Sequence, residues 1–316
     1  MMKELKVAML GMVDGNGHPY SWSAMFNGYD KEAMEDCGFP VIPRYLEKEP
    51  ASSFGVRNAK VTHIWTDDPA DAKKVAKASK IPNIVEKPED VIGQVDAVII
   101  ATDKGDEHVW RAKPFVEAGL PIFIDKPMAD NIEDLKIFCK WVKDGARIMS
   151  SSSLRYVKEY MPYFMSTNEL GDLRYINMTM NKSWERYGIH ALEPVYRLTG
   201  PGYVSVQNTG DSEHNIVHLK HEKGIDINLA IIYDMAGSAL KIVGTKDSVT
   251  VPFKDSYTSF KTQLDEFIKF AEGNEPNFPF TETIELMEII IAGIRSREEG
   301  GRKVMLDEIR KEVEEA

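Results

Sequence analysis

Cysteine is almost absent from this chain. Cys37 and Cys139 are the only two in 316 residues, and their separation fits neither a disulfide framework nor a metal knuckle. Cys139, in a helical segment, reads as a small apolar filler. Cys37, in a polar loop, reads as a free thiol with nothing nearby to activate it. Apolar runs long enough to span a membrane are missing too, and Met1-Met2-Lys3-Glu4-Leu5-Lys6 leads straight into a strand with no hydrophobic leader core. Positive charge is in deficit. The net charge of −11 makes a field that repels nucleic acid and anionic lipid, so neither is expected as a partner. A cytoplasmic protein is the expectation. Phosphate or carboxylate ligands are still admissible where backbone amides or single basic residues hold them locally.

What is present is an ordinary globular composition, 43% hydrophobic and 28% charged, with length enough for two domains. The first half alternates strand and helix. Strands are expected at Leu5–Leu10, Lys60–Thr66, Val95–Ala101, Ile122–Ile124 and Ala146–Ser151, the third a continuous β-branched run of the kind buried parallel strands require. Helices are expected from Tyr20, after the Asp67-Asp68-Pro69 cap, over Asp106–Ala118 with a kink at Pro114, and over Ile132–Val142. Repeated βαβ units make this an α/β, doubly wound parallel sheet. From Gly171 to about Pro252 the pattern changes to strand-like runs joined by turns such as Lys223-Gly224, read as an α+β domain with an open antiparallel sheet. Two amphipathic helices, about Thr262–Glu272 and Thr283–Arg297, close the chain. The division falls near residue 150, giving domains 1–150 and 151–316.

Two places point to chemistry. After the first strand the chain reads Gly11-Met12-Val13-Asp14-Gly15-Asn16-Gly17-His18-Pro19. Glycines there let the backbone turn tightly and approach a pyrophosphate, and the following helix start offers N–H groups. The spacing is not the standard one, since Gly15 and Gly17 come late and Asp14 adds negative charge. The second place is Pro121-Ile122-Phe123-Ile124-Asp125-Lys126-Pro127, a short apolar strand ending in an acid, a lysine and a proline. Ligands of open parallel sheets bind outside the carboxyl ends of the strands. Lys126 in that position faces a cleft, and the proline stops the ladder beside it.

Further motifs follow in order: Ala101-Thr102 with His108 after the fourth strand, Ala118-Gly119 before the fifth, Asp125-Lys126-Pro127, Gly188-Ile189-His190, and Ala292-Gly293-Ile294-Arg295-Ser296 near the end. Over nearly its whole length the chain resembles the glucose–fructose oxidoreductase / inositol dehydrogenase / rhizopine-catabolism family (Gfo/Idh/MocA). The resemblance implies an N-terminal Rossmann domain that binds NAD or NADP, and a C-terminal sheet that carries substrate and a homo-oligomer interface (dimer or tetramer). It implies hydride transfer to or from a sugar, polyol or related hydroxyl carbon. Lys126 would orient the hydroxyl and His190 would act as acid or base. Gly11, Gly15, Gly17, His18, Thr102, His108, Asp125 and Lys126 would contact the cofactor.

One departure matters. The family commonly has Asp four residues before this histidine, and here Arg186 stands there. The tuning carboxylate is then missing unless Glu185 or Glu193 supplies it. Arg186 would suit an acidic substrate group, and Tyr187 is a second possible proton donor. Asp67, at the end of the second strand, is the candidate for the ribose hydroxyls. With no Arg or Lys beside it in sequence to welcome a 2′-phosphate, NAD is favoured over NADP. Residues 27–58 form an insertion, either a lid over the cleft or a surface excursion. Arg155, with Tyr156 where the domains join, reaches the substrate or packs the junction. His214, His218 and His221 lie on a strand that turns the third away from the first two, so no metal site is expected. Two rival functions remain open: a non-redox enzyme of epimerase or glycosidase type that oxidises its substrate transiently with NAD, and a catalytically dead nucleotide-binding regulator.

Overall fold

The structure, a computed structural model, describes residues 4–314; Met1–Lys3, which precede the first strand, lie outside the described residues. The first half runs β1 (Leu5–Leu10), α1 (His18–Asn27), α2 (Lys31–Glu35), α3 (Val41–Leu46), β2 (Ala59–Trp65), α4 (Pro69–Ala78), β3 (Asn83–Ile84), β4 (Ala97–Ile100), α5 (His108–Glu117), β5 (Ile122–Ile124), α6 (Ile132–Lys143) and β6 (Ile148–Met149). Its six strands are all parallel, in the order β3-β2-β1-β4-β5-β6. That is the doubly wound dinucleotide-binding order, whose crevice opens where the chain direction reverses between β1 and β4. Alternation along the strands explains why both faces are apolar. Ala8, Leu10, Val98 and Ile100 face one core with Phe115 and Phe138. Val7, Met9, Ala97 and Ile99 face the other with Trp22 and Val75. Asp68 caps α4 as the sequence suggests, accepting from Ala70 N at 2.8 Å.

The second half runs α7 (Met161–Met165), β7 (Leu173–Asn181), α8 (Trp184–Thr199), β8 (Tyr203–Asn208), β9 (His214–His221), β10 (Asp226–Ile232), β11 (Ala239–Gly244), β12 (Ser248–Pro252), α9 (Ser256–Ala271), α10 (Phe280–Glu298), β13 (Val304–Met305) and α11 (Leu306–Glu314). The seven-stranded sheet has the order β12-β11-β7-β10-β9-β8-β13. It is antiparallel except at one place, where β10 lies parallel to β7. An all-antiparallel sheet is therefore corrected to a mixed one. The reason is α8, which carries the chain over the sheet after β7, so that the β8–β9–β10 meander returns in the same direction as β7. Gly188 on α8 and Gly293 on α10 both abut Trp184; a β-carbon would come within 2.7 Å and 2.5 Å of its ring.

Three further differences from the sequence reading have local causes. The helix expected from Thr262 starts at Ser256, because Asp255 caps it by accepting from Thr258 N at 2.9 Å. Two elements, β13 and α11, follow the helix expected to end the chain. The insertion 27–58 is neither a loose lid nor a surface loop: Met34, Cys37, Ile42 and Leu46 are buried in the core that also holds α1, α4 and α9. Cys37 is thus a packed thiol, raised by burial.

Candidate active site

The site gathers where the carboxyl ends of β1, β4 and β5 meet the β7–α8 junction. Gly11 follows β1 with φ +84°, and a β-carbon there would lie 2.7 Å from the Thr102 methyl and 3.3 Å from Arg111. Only glycine fits that conformation and that approach. Gly15 also has positive φ, +75°. Gly17 has another reason to be glycine. Phe39 and Ile42 of the insertion press on it, and a β-carbon would sit within 2.9 Å of both side chains. Its bare α-carbon thus serves packing by the insertion.

Beyond Gly11 the turn folds back over the strand ends. Asn16 is buried, and its Nδ2 donates to Ala101 O at 3.1 Å and to Asp125 Oδ2 at 3.0 Å. His18, the first residue of α1, donates from Nδ1 to the same Asp125 oxygen at 2.6 Å and stacks on Trp22 at 4.2 Å. Asp125 is fully buried, which by itself raises its pKa; His18, which hydrogen-bonds it, and the Lys126 ammonium outweigh this and hold it below the usual carboxylate range.

Lys126 is 2% exposed. Burial works against its charge, but Asp125, Asp103 and Tyr187 overcompensate, so its pKa is raised and it stays an ammonium ion. Its Nζ lies 3.5 Å from Asp103 Oδ2 and 4.8 Å from the centre of the Tyr187 ring. The other oxygen of Asp103 accepts from Arg186 Nη2 at 2.6 Å. Asp103 had not been singled out in the sequence, although its place just past β4 is where the strand-end rule points. Arg186 also donates to Asp14 O at 3.2 Å, and Lys182 donates to Gly15 O at 3.1 Å and to the Tyr187 hydroxyl at 2.7 Å. The second half of the chain thereby grips the glycine turn by its carbonyls.

His190 is buried beside Tyr187, ring centres 4.8 Å apart, and its Nδ1 shares a 2.6 Å hydrogen bond with Ser152 Oγ. Burial, with Lys126, His18 and Lys182 nearby, pushes its pKa well down. Neither candidate replaces the missing carboxylate. Glu185 pairs with Arg297, and Glu193 accepts from Ser152 N at 3.0 Å and pairs with Arg155 at 3.2 Å.

Other residues singled out in the sequence lie apart. Arg155 is held by Glu193 and Glu282 and stacks on Phe278, so it packs the junction. Both ring nitrogens of His108 face backbone carbonyls, Thr102 O at 2.8 Å and Met128 O at 3.1 Å, so it braces the loops after β4 and β5. His214, His218 and His221 go to Asp211, Asp226 and the Gly200–Pro201 carbonyls, and no metal-binding cluster is found among the described residues. No described helix is long and apolar enough to cross a membrane.

Asp67 requires a correction. An arginine does stand beside it: Arg111 Nη2 donates to Asp67 Oδ1 at 2.8 Å and to Glu107 at 2.8 Å. It comes from α5, 44 residues along the chain, so adjacency in sequence could not reveal it.

Residues 42–152 match the model of an oxidoreductase family with an NAD-binding Rossmann fold, named Gfo/Idh/MocA. Over those residues the chain is similar to that family. The Gfo/Idh/MocA match begins past the glycine turn and takes in β2 to β6. Among solved structures the whole fold recurs in myo-inositol 2-dehydrogenase from Lactobacillus plantarum (15% identity, TM-score 0.75, covering 96% of this chain and 99% of that one). It recurs in scyllo-inositol dehydrogenase from Lactobacillus casei with bound NAD(H) and scyllo-inositol (14% identity, TM-score 0.73, 96% and 100% covered). A myo-inositol dehydrogenase from Corynebacterium glutamicum is similar too (17% identity, TM-score 0.72, 96% and 99% covered). No curated protein matches the sequence.

The residues present fit a dinucleotide. A narrow apolar pocket lies between the ends of β1, β2 and β4 and α5, walled by Leu10, Ile100, Trp65 and Trp110, with Arg111 at its polar edge. Asp67 pairs with that arginine. Thr102 Oγ1 and Arg186 Nε are buried without a partner among the described residues; Thr102 lies against Gly11, and Arg186 donates to Asp14 O of the same turn.

Proposed function

We propose that this protein is an NAD-dependent oxidoreductase that transfers hydride between the cofactor and a hydroxyl carbon of a polyol or sugar. The observation that carries this is the buried ammonium of Lys126 at the carboxyl end of β5, held between Asp103, Asp125 and Tyr187. A fixed positive charge there binds a substrate hydroxyl and stabilises negative charge developing on its oxygen as hydride leaves the carbon. Bound NAD supplies the two-electron acceptor. Gly11 and Gly15, both at positive φ, would admit the pyrophosphate. Asp67 holds Arg111 and stands where a carboxylate would accept from a ribose 2′-hydroxyl, which favours NAD over NADP.

Arg186 is spent on Asp103, and Asp125 balances Lys126. The two cations nearest the strand ends are therefore balanced, which favours a neutral polyol over a sugar acid or phosphate, while Lys182 is held by Gly15 O and the Tyr187 hydroxyl. In the same reading residues 1–150 hold the cofactor and 151–316 the substrate. Oligomers would form through the outer face of the second sheet, where Val204, Ile216 and Tyr233 are exposed. The family resemblance and the fold shared with inositol dehydrogenases support this reading.

The test is a fluorescence titration with NADH and NADPH, then a screen of inositol isomers and alditols for NADH formation. Selective NADH binding, and turnover that Lys126→Met lowers by about a hundredfold or more, are expected. No dinucleotide binding would refute the reading.

A further inference from the structure

Oxidising a hydroxyl needs a base for its proton, and two histidines stand close to Lys126. Resting on the function proposed above, we propose that His18, oriented by Asp125, is the general base that receives the substrate's hydroxyl proton on Nε2. The glycine-rich turn would then supply catalysis as well as cofactor binding.

The geometry favours His18 over His190. Asp125 is immobile: Oδ1 accepts from the Lys126 backbone N–H at 2.8 Å, and Oδ2 accepts from Asn16 Nδ2 at 3.0 Å and His18 Nδ1 at 2.6 Å. A carboxylate on Nδ1 makes that nitrogen the donor, which leaves Nε2 as the lone-pair acceptor. No described residue bonds His18 Nε2. The ring cannot swing, because Trp22 stacks on it at 4.2 Å and Phe260 meets it edge-on at 5.2 Å. The carboxylate behind it stabilises the imidazolium as the proton arrives, the arrangement of an Asp–His pair in acid–base catalysis. His190 has the opposite surroundings. Its Nδ1 is taken by Ser152, and Arg186, one turn earlier on α8, stands where a carboxylate would be needed to favour its charged form. The titratable groups coupled to His18 are Asp103 after β4, Asp125 after β5 and His190 on α8. His18 acts on Asp103, Asp125 and His190 alike, which places all four in one cluster.

The step balances as follows. The carbinol C–H bond breaks and its electron pair leaves with the hydrogen to NAD, the oxidant of the proposed reaction. The O–H electron pair becomes the second C–O bond, and the proton forms an N–H bond at His18 Nε2. The substrate loses two electrons, and the imidazolium returns its proton to water. Lys126 remains protonated throughout and Asp125 remains ionised.

The test compares His18→Gln, His190→Gln and Asp125→Asn in the whole protein by three readouts: NADH binding, the pH profile of kcat/KM, and ¹⁵N NMR of the imidazoles without ligand. His18→Gln should lower kcat by about a hundredfold or more while NADH binding changes only a few-fold, and His190→Gln should cost less than about tenfold. Asp125→Asn should move the acidic limb of the pH profile to lower pH, and the NMR signal lost in His18→Gln should be that of an Nδ1–H tautomer. A larger loss in His190→Gln, an unmoved acidic limb, or the Nε2–H tautomer at His18 would overturn the assignment. Failure of the wild type to bind NADH refutes the oxidoreductase reading instead, and the NMR tautomer separates that outcome from a wrong choice of base.

Discussion

Replacing Asp103 with Asn keeps the side chain's shape and removes the carboxylate that Lys126 and Arg186 share. The Asp103 side chain is 1% exposed, so burial alone would raise its pKa. The charges of Lys126 and Arg186 and the Arg186 hydrogen bond reverse this and bring it from the ordinary 3.8 to about 2. At about 1.4 kcal/mol for each pKa unit, the carboxylate form stabilises the fold by about 2.5 kcal/mol. The folded value lies below the unfolded one. The contribution is therefore complete above the unfolded value of 3.8 and disappears as pH falls through about 2. Asp103→Asn should cost roughly 2–3 kcal/mol at about pH 7, read from urea unfolding followed by tryptophan fluorescence at unchanged m-value. The gap between the two proteins should narrow steadily below about pH 4. An equal loss of stability at neutral and acid pH would show that Asp103 acts by packing and not by charge, and no loss at neutral pH would show that the cluster around Lys126 is not held by it.

Three other outcomes follow from the same structure. Gly11→Ala places a β-carbon at φ +84° and 2.7 Å from Thr102; it should lower stability by about 1–3 kcal/mol and weaken NADH binding in the fluorescence titration. Gly293→Ala drives a methyl to 2.5 Å from Trp184 Nε1, whose hydrogen bond to Ile290 O joins α8 to α10; a melting scan should show a loss of about 1–3 kcal/mol with altered tryptophan emission. Glu288 is raised by burial from 4.5 to about 7 despite Arg310, so its ionisation costs stability as pH rises through that range. Glu288→Gln should raise Tm by a few degrees above neutral pH and change it little below the unfolded value of 4.5, checked by calorimetry at both pH values.

Much of the architecture was legible in the chain because it depends on short-range pattern. Alternation of β-branched strands with capped helices predicted the doubly wound sheet, and Asp68-Pro69 marked the start of α4. The strand ending in Asp125-Lys126-Pro127 located the ammonium, since the end of a buried parallel strand has only the crevice to face. The strand-like stretch expected from Gly171 to about Pro252 holds β7 to β12. Their pairing was not legible, because strand direction depends on where α8 carries the chain, which no local period records.

The sequence by itself determined the element types, the sheet's binding edge and the presence of a lysine and a glycine turn on that edge. Only the tertiary structure decided which charges meet there. His18 reaches Asp125 across 107 residues, Arg186 reaches Asp103 across 83, and Arg111 reaches Asp67 across 44. The insertion that reads as a loop becomes core because Phe39 and Ile42 find the bare face of Gly17. Hydrophobic period and capping act within a few residues and can be read along a line. Hydrogen bonds and ion pairs act within a few ångströms of space, and which partners come that close is settled only when the layers pack.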